Sequence, residues 1–217
     1  MAIFYELAIE ELIEEKDYQE VRELFEAWRS RTSERAYEEY ANKSIKIFDK
    51  HVNKLDIALF DKAVDAVFHK YKDQVYTYTR DLIKELKDKG YYLIAISGSQ
   101  YQIVEKVSKY YGFDEWTGTK YTKIGDKFGG YEEFPAGKKG KVLEKIIKAQ
   151  NLSLDGSIAI GDSELDISVL EMVESPIAFN PTKELLEHAK SKRWQIVIER
   201  KSLVYSLIYK NGDYKLV

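Results

Sequence analysis

The sequence has no cysteine, only three prolines and no excess of charge of either sign. Without cysteine there can be no disulfide, no thiolate zinc site and no thiol nucleophile, a composition that fits a cytoplasmic protein. Few prolines beside 44% hydrophobic residues exclude a disordered, low-complexity chain, and 217 residues suffice to bury one sizeable core or a core with a modest second lobe. With 34 basic against 37 acidic side chains the formal charge is -3, which argues against nucleic acid or an anionic membrane as the main partner and favours a small soluble one. Long apolar runs are missing too: Tyr91 to Ile96 falls far short of the ~20 residues of a membrane span. Acidic side chains enter at Glu6, so no signal peptide is expected.

From Met1 to about Lys72 the pattern is helical. Ile3, Leu7, Ile9, Leu12 and Ile13, then Val21, Leu24, Phe25 and Trp28, recur at three- and four-residue steps. After Val75 helical segments alternate with short apolar runs bounded by glycine. The pattern predicts a helix from about Thr79 to Gly90, a strand over 91–96, a helix over 100–111 and a β-hairpin within 115–134 turning at Ile124 to Lys127. It then predicts a helix over 141–150, a strand over 157–161, a helix over 165–173, a strand over 176–179, a helix over 183–192 and a strand over 195–198. This is an α/β pattern with a parallel, doubly wound sheet, in which ligands gather at the carboxyl ends of the strands.

Three polar clusters fall at such ends. Ser97, Gly98 and Ser99 follow the first strand, where hydroxyls and backbone N–H groups could hold an anion such as phosphate. Ser99 with Gln102 also makes a capping box, which accounts for Ser99 without a ligand. Lys138, Lys139 and Lys141 surround Gly140 at a helix start; cations there oppose the helix dipole and call for an anionic partner, although such runs are often solvated surface. Asp162, Ser163, Glu164 and Asp166 follow the run Ser157 to Gly161. Ser163 and Asp166 form another capping box, leaving Asp162 and Glu164 as an acidic terminus suited to a hard divalent cation such as magnesium.

A Gly-Asp-Ser string also occurs in serine esterases, but none of the three histidines stands in the Asp-x-x-His pair those need. No Gly-x-Gly-x-x-Gly follows any strand, which disfavours a dinucleotide site. The 17 tyrosines read as packing, since a base-stacking surface would want a more basic chain.

Taken in order, Ser97-Gly98, Lys139 and Gly161-Asp162 with Asp166 resemble the second, third and fourth motifs of the haloacid dehalogenase-like hydrolases. The stretch Pro176 to Pro181 with Leu185, Ala189 and Trp194 resembles the phosphoserine phosphatase-like branch. That resemblance implies a Rossmann-like core over 76–217, a helical cap over 1–75, and a phosphatase acting on a small phosphorylated metabolite. It implies that Asp162 binds Mg2+ and that Ser97 with the Gly98 amide holds the phosphoryl oxygens. Lys139 would neutralise charge, and Asp166 would serve the metal or orient Lys139.

One motif of the family is not in the sequence. Its first, Asp-x-Asp-x-Thr or Ser after an apolar strand, supplies the aspartate that attacks phosphorus, and no such string occurs in the 217 residues. The expectation is therefore that the first core strand is missing, that Met1 to Leu7 is the cap helix following it, and that the chain as given has little activity. A catalytically inactive phosphate-binding or regulatory protein of the same family is the alternative.

Overall fold

The computed structural model describes residues 1–33 and 35–217, which divide into two compact units. Unit one comprises Met1–Gln74, Ser99–Tyr110 and Gly118–Glu133; unit two comprises Val75–Gly98, Tyr111–Thr117 and Phe134–Val217.

Unit one is built on four helices, α1 (Ala2–Ile9), α2 (Glu15–Arg29), α3 (Ala36–Val52) and α4 (Ile57–Tyr71). Asp56 starts α4 by accepting the Leu59 N–H at 3.0 Å. The expected apolar stripe is the core: Phe4, Leu7, Ile13 and Val21 are buried with Ile47, Phe48, Val52, Leu55, Phe60 and Val64. The unit also takes in most of a later helix and the outer part of the predicted hairpin. Aromatic packing explains this, since Phe128 meets Phe60 at 5.3 Å between ring centroids and Tyr121 meets Phe48 at 5.7 Å. Across α2 and α3, buried Asp17 takes His51 Nε2 at 2.6 Å and Lys50 Nζ at 2.7 Å.

The chain continues through α5 (Thr77–Asp88), β1 (Ile94–Gln100), α6 (Tyr101–Tyr111), β2 (Glu115–Ile124) and β3 (Lys127–Glu133). Next come α7 (Lys139–Gln150), β4 (Ile158–Gly161), a 3-10 turn over Glu164–Asp166, α8 (Ile167–Leu170), β5 (Ser175–Phe179), α9 (Lys183–Lys192) and β6 (Gln195–Arg200). A terminal hairpin, β7 (Leu203–Lys210) and β8 (Asp213–Leu216), completes the chain.

The strands form two sheets among the described residues, of order β1-β2-β3 and β4-β5-β6-β7-β8. In the second, β4, β5 and β6 are parallel and β6, β7 and β8 antiparallel. Period-two alternation covers both faces of this sheet. Ala178 and Ile196 pack with Leu170, Leu185 and Ala189 of α8 and α9, whereas Ile177, Phe179 and Val197 face Tyr78 and Leu82 of α5. The α5 amino end is fixed by Glu199 of β6, which accepts the Thr77 and Tyr78 N–H groups at 2.9 and 2.8 Å.

Two expectations need correction, and one element was not foreseen. The strand predicted over 91–96 begins at Ile94, because Tyr91 and Tyr92 are exposed and Leu93 is held by Asp114, whose carboxylate takes the Leu93 N–H at 2.7 Å. Ser99 lies within β1, which runs to Gln100, and α6 opens at Tyr101, later than the expected capping box places it. Residues 203–216 form a hairpin that the sequence pattern left unassigned.

Candidate active site

The expected site residues that the structure describes all belong to unit two. Ser97 and Gly98 are in the last residues of β1, Lys139 opens α7, Asp162 directly follows β4, and Asp166 closes the 3-10 turn. A Cβ built on Gly98 would lie 3.6 Å from the Ala136 Cβ, so the end of β1 runs beside the loop leading to Lys139.

The turn after β4 is set by Asp166. Its Oδ2 accepts the Asp162 N–H at 3.0 Å, the Ser163 N–H at 3.2 Å and the Ser163 hydroxyl at 3.3 Å, completing the expected capping box. Its Oδ1 accepts Lys139 Nζ at 2.6 Å. Both partners are largely buried, with side chains 15% and 12% exposed. Lys139 sits in the first turn of α7, where its charge opposes the helix dipole, and Asp166 is the anion that this placement calls for. Both Asp166 oxygens thus accept protein donors, Oδ1 from Lys139 and Oδ2 from the turn at Asp162 and Ser163.

Gly161 is what lets Asp166 come so close. A Cβ there would stand 2.4 Å from the Asp166 Cβ, a separation no side chain tolerates. Gly140 has the same function on the other wall, where a Cβ would meet the Ser168 carbonyl oxygen at 2.9 Å and where the Gly140 N–H donates to Ser168 Oγ at 3.1 Å. Ser168 had no sequence signal marking it. Nor did Thr182, whose N–H donates to the Asp162 carbonyl at 2.8 Å while its hydroxyl accepts the Leu185 N–H to cap α9.

Asp162 has no such neutral role. The residue is exposed, yet its carboxyl group lies among enough neighbouring atoms that desolvation, and then the negative charge of Asp166, raise its pKa, with Lys139 only partly opposing them. A carboxylate whose ionised form is disfavoured by its surroundings is suited to a cation. Asp162 offers the carboxylate oxygens that a hard divalent ion such as magnesium takes, whereas Glu164 accepts the Thr182 hydroxyl at 3.3 Å. Lys139 is thus singled out from Lys138 and Lys141 by a buried carboxylate partner.

The family model described as haloacid dehalogenase-like hydrolase matches residues 3–171. Among curated proteins, the chain is 33% identical over 132 residues to the phosphoserine phosphatase of Methanocaldococcus jannaschii, covering 59% of this chain and 60% of that protein. It is 28% identical over 127 residues to the inhibition of morphological differentiation protein of Streptomyces azureus, covering 57% and 46%. The matched stretch therefore spans less than two thirds of either relative. Among solved structures, a protein with unknown function from Bordetella pertussis Tohama I aligns with a TM-score of 0.66 at 18% identity, over 91% of this chain and 89% of that one. A phospho-aspartyl intermediate analogue of phosphoserine phosphatase aligns with a TM-score of 0.56 at 22% identity, over 92% and 87%. At these identities the likeness establishes the α/β fold. Among the described residues, no helix is long and apolar enough to cross a membrane.

Proposed function

The chain belongs to the haloacid dehalogenase-like hydrolases, and within that family we propose that it provides the phosphate- and metal-holding machinery of a magnesium-dependent phosphomonoester hydrolase acting on a small phosphorylated metabolite. The observation that carries this reading is the linked group Lys139–Asp166–Asp162: a largely buried lysine held by one carboxylate, which also accepts the backbone N–H of Asp162, a second acid whose ionised form is disfavoured without a cation.

In this reading Ser97 and the Gly98 amide bind the phosphoryl oxygens, and Lys139 neutralises charge as it builds up on them. Asp166 is a positioning residue that fixes the Lys139 ammonium and the backbone on either side of Asp162. Asp162 is the carboxylate that holds the metal. Magnesium, when bound there, would supply charge neutralisation and orientation at the phosphate. No Asp-x-Asp-x-Thr or Ser string occurs in these 217 residues, so the nucleophilic aspartate of an aspartyl-phosphate route is assigned to none of them.

The second reading is a family member that binds phosphate and magnesium without turning over. Hydrolysis of p-nitrophenyl phosphate with and without magnesium separates the two. It should be measured on this chain and on a version with an apolar Asp-x-Asp-x-Thr strand joined ahead of Met1. Magnesium-dependent turnover in the extended version, lost in Asp162→Asn, supports the hydrolase; phosphate binding without turnover in both supports the regulatory reading.

A further inference from the structure

Unit one holds a polar cluster that its apolar core does not call for. Asp17 and His51 are 6% and 4% exposed, and Asp17 Oδ2 stands 2.6 Å from His51 Nε2. Glu14 joins them: one ligand atom from each of the three residues lies within 4.8 Å of the other two. Two helices bring them together. Glu14 is the N-cap of α2 and Asp17 follows three residues later on the same face, while His51 is in the last turn of α3.

Helix dipoles favour acids in a first turn and a base in a last turn, which accounts for these residue types. They do not account for the burial. A buried ion pair regains little beyond its desolvation cost, whereas an imidazole and two carboxylates converging on one point are a donor set that suits first-row transition ions.

Positive charge already lies at that point, but on movable arms. Lys50 Nζ stands 2.7 Å from Asp17 Oδ2 and 3.4 Å from Glu14 Oε1, and Lys16 Nζ stands 2.7 Å from Glu14 Oε2. The Lys50 and Lys16 side chains are 44% and 73% exposed, whereas that of Lys139, built into its own site, is 15% exposed. The imidazole and the Asp17 carboxylate are thus fixed, and the ammonium facing them is free to swing into water. Donors around a tetrahedral ion ~2.1 Å away stand about 3.4 Å from one another, so the Asp17–His51 pair at 2.6 Å need open by only ~0.8 Å. Glu14, with a half-exposed side chain, has room to close in.

We propose that Glu14, Asp17 and His51 form a binding site for a divalent first-row transition ion of the zinc class, with water in a fourth position and Lys50 as the counter-charge that the ion displaces. The imidazole selects zinc or cobalt over magnesium, which prefers an all-oxygen shell. His51 binds through Nε2, whose proton passes to Nδ1 or to solvent. The bound ion clamps the start of α2 to the end of α3. This site is independent of the hydrolase reading, which rests on residues of unit two.

The test titrates the full chain with Co2+ or Zn2+ in excess magnesium, which fills hard-oxygen sites. With three histidines and no cysteine the chain gives an unambiguous readout. Cobalt should produce visible absorption bands and shift the ring NMR signals of His51 far more than those of His69 and His188. Zinc should abolish the cobalt bands and raise Tm by roughly 5–10 °C at a hundredfold excess over Kd. Two variants at exposed side chains spare the core. Glu14→Gln should weaken zinc binding at least tenfold, and Lys50→Gln should tighten it at least tenfold, because the ion no longer competes with an ammonium. Absence of cobalt bands, shifts at His69 or His188 with His51 unmoved, zinc binding unaffected by Glu14→Gln, or Lys50→Gln binding no tighter than the parent would each overturn the proposal and leave the cluster as an ion-pair network.

Discussion

Lys139 Nζ and Asp166 Oδ1 stand 2.6 Å apart at the buried start of α7, but the two partners are not equally replaceable. Removing the lysine leaves Asp166 with three other donors, from Asp162 and Ser163. Removing the carboxylate leaves a buried ammonium and the Asp162 and Ser163 N–H groups together without it. Asp166→Ala should therefore cost on the order of 3–5 kcal/mol, and Lys139→Met clearly less. Urea unfolding of both variants decides; equal losses would mean that the turn is held by something other than Asp166.

Two glycines of the site make a sharper contrast. A Cβ at Gly161 collides with Asp166 at 2.4 Å, while one at Gly98 makes ordinary contact at 3.6 Å with Ala136. Gly161→Ala should lose about 1–3 kcal/mol through forced displacement, whereas Gly98→Ala should stay within roughly 0.5 kcal/mol of the parent. Thermal unfolding of the pair checks this, and a tolerated Gly161→Ala would refute the close packing of Asp166 on β4.

The Gly161–Asp166 packing also shows what a sequence can and cannot reveal. Helix, strand and hairpin periods, and the capping box at Ser163, depend on neighbours along the chain, and these were legible. The choice among Lys138, Lys139 and Lys141 needed the family pattern, because what distinguishes Lys139 is Asp166, 27 residues away. Ser168 and Thr182 went unmarked for the same reason, since they act through long-range hydrogen bonds, Ser168 with Gly140 and Thr182 with Asp162 and Glu164. The β7–β8 hairpin was legible in principle: Asn211-Gly212 between alternating apolar residues is a strong turn signal, and both residues adopt positive φ, 56° and 89°.

In unit one, burial acts to raise the Asp17 pKa, but hydrogen bonds from Lys50 and His51 outweigh it and hold the pKa below the ordinary range. A depressed carboxyl pKa means that the unfolded chain takes up the proton first. The stabilisation is thus present above the unfolded value of ~3.9 and lost as pH falls through the lower folded one. Asp17→Asn should cost about 1–3 kcal/mol at neutral pH and flatten the acid limb of stability. Unfolding free energies measured from pH 7 down to pH 3 test both, and an unchanged acid limb in the variant would show that Asp17 does not carry it.

Asp162 should behave in the opposite way, because its pKa is raised by desolvation and by Asp166. For an acid that sign means the folded chain disfavours the ionised form at neutral pH, so without a divalent cation Asp162→Asn should be at least as stable as the parent. Adding magnesium reverses the ranking. A ligand that binds only the folded state at tenfold over its Kd contributes about 1.4 kcal/mol, a rise in Tm of roughly 3–6 °C. The parent should show that rise and the Asn variant should not. The prediction lies in this crossing of the two Tm values with magnesium: a variant less stable than the parent in both conditions would make Asp162 a structural residue, and parallel rises in both would move the metal elsewhere.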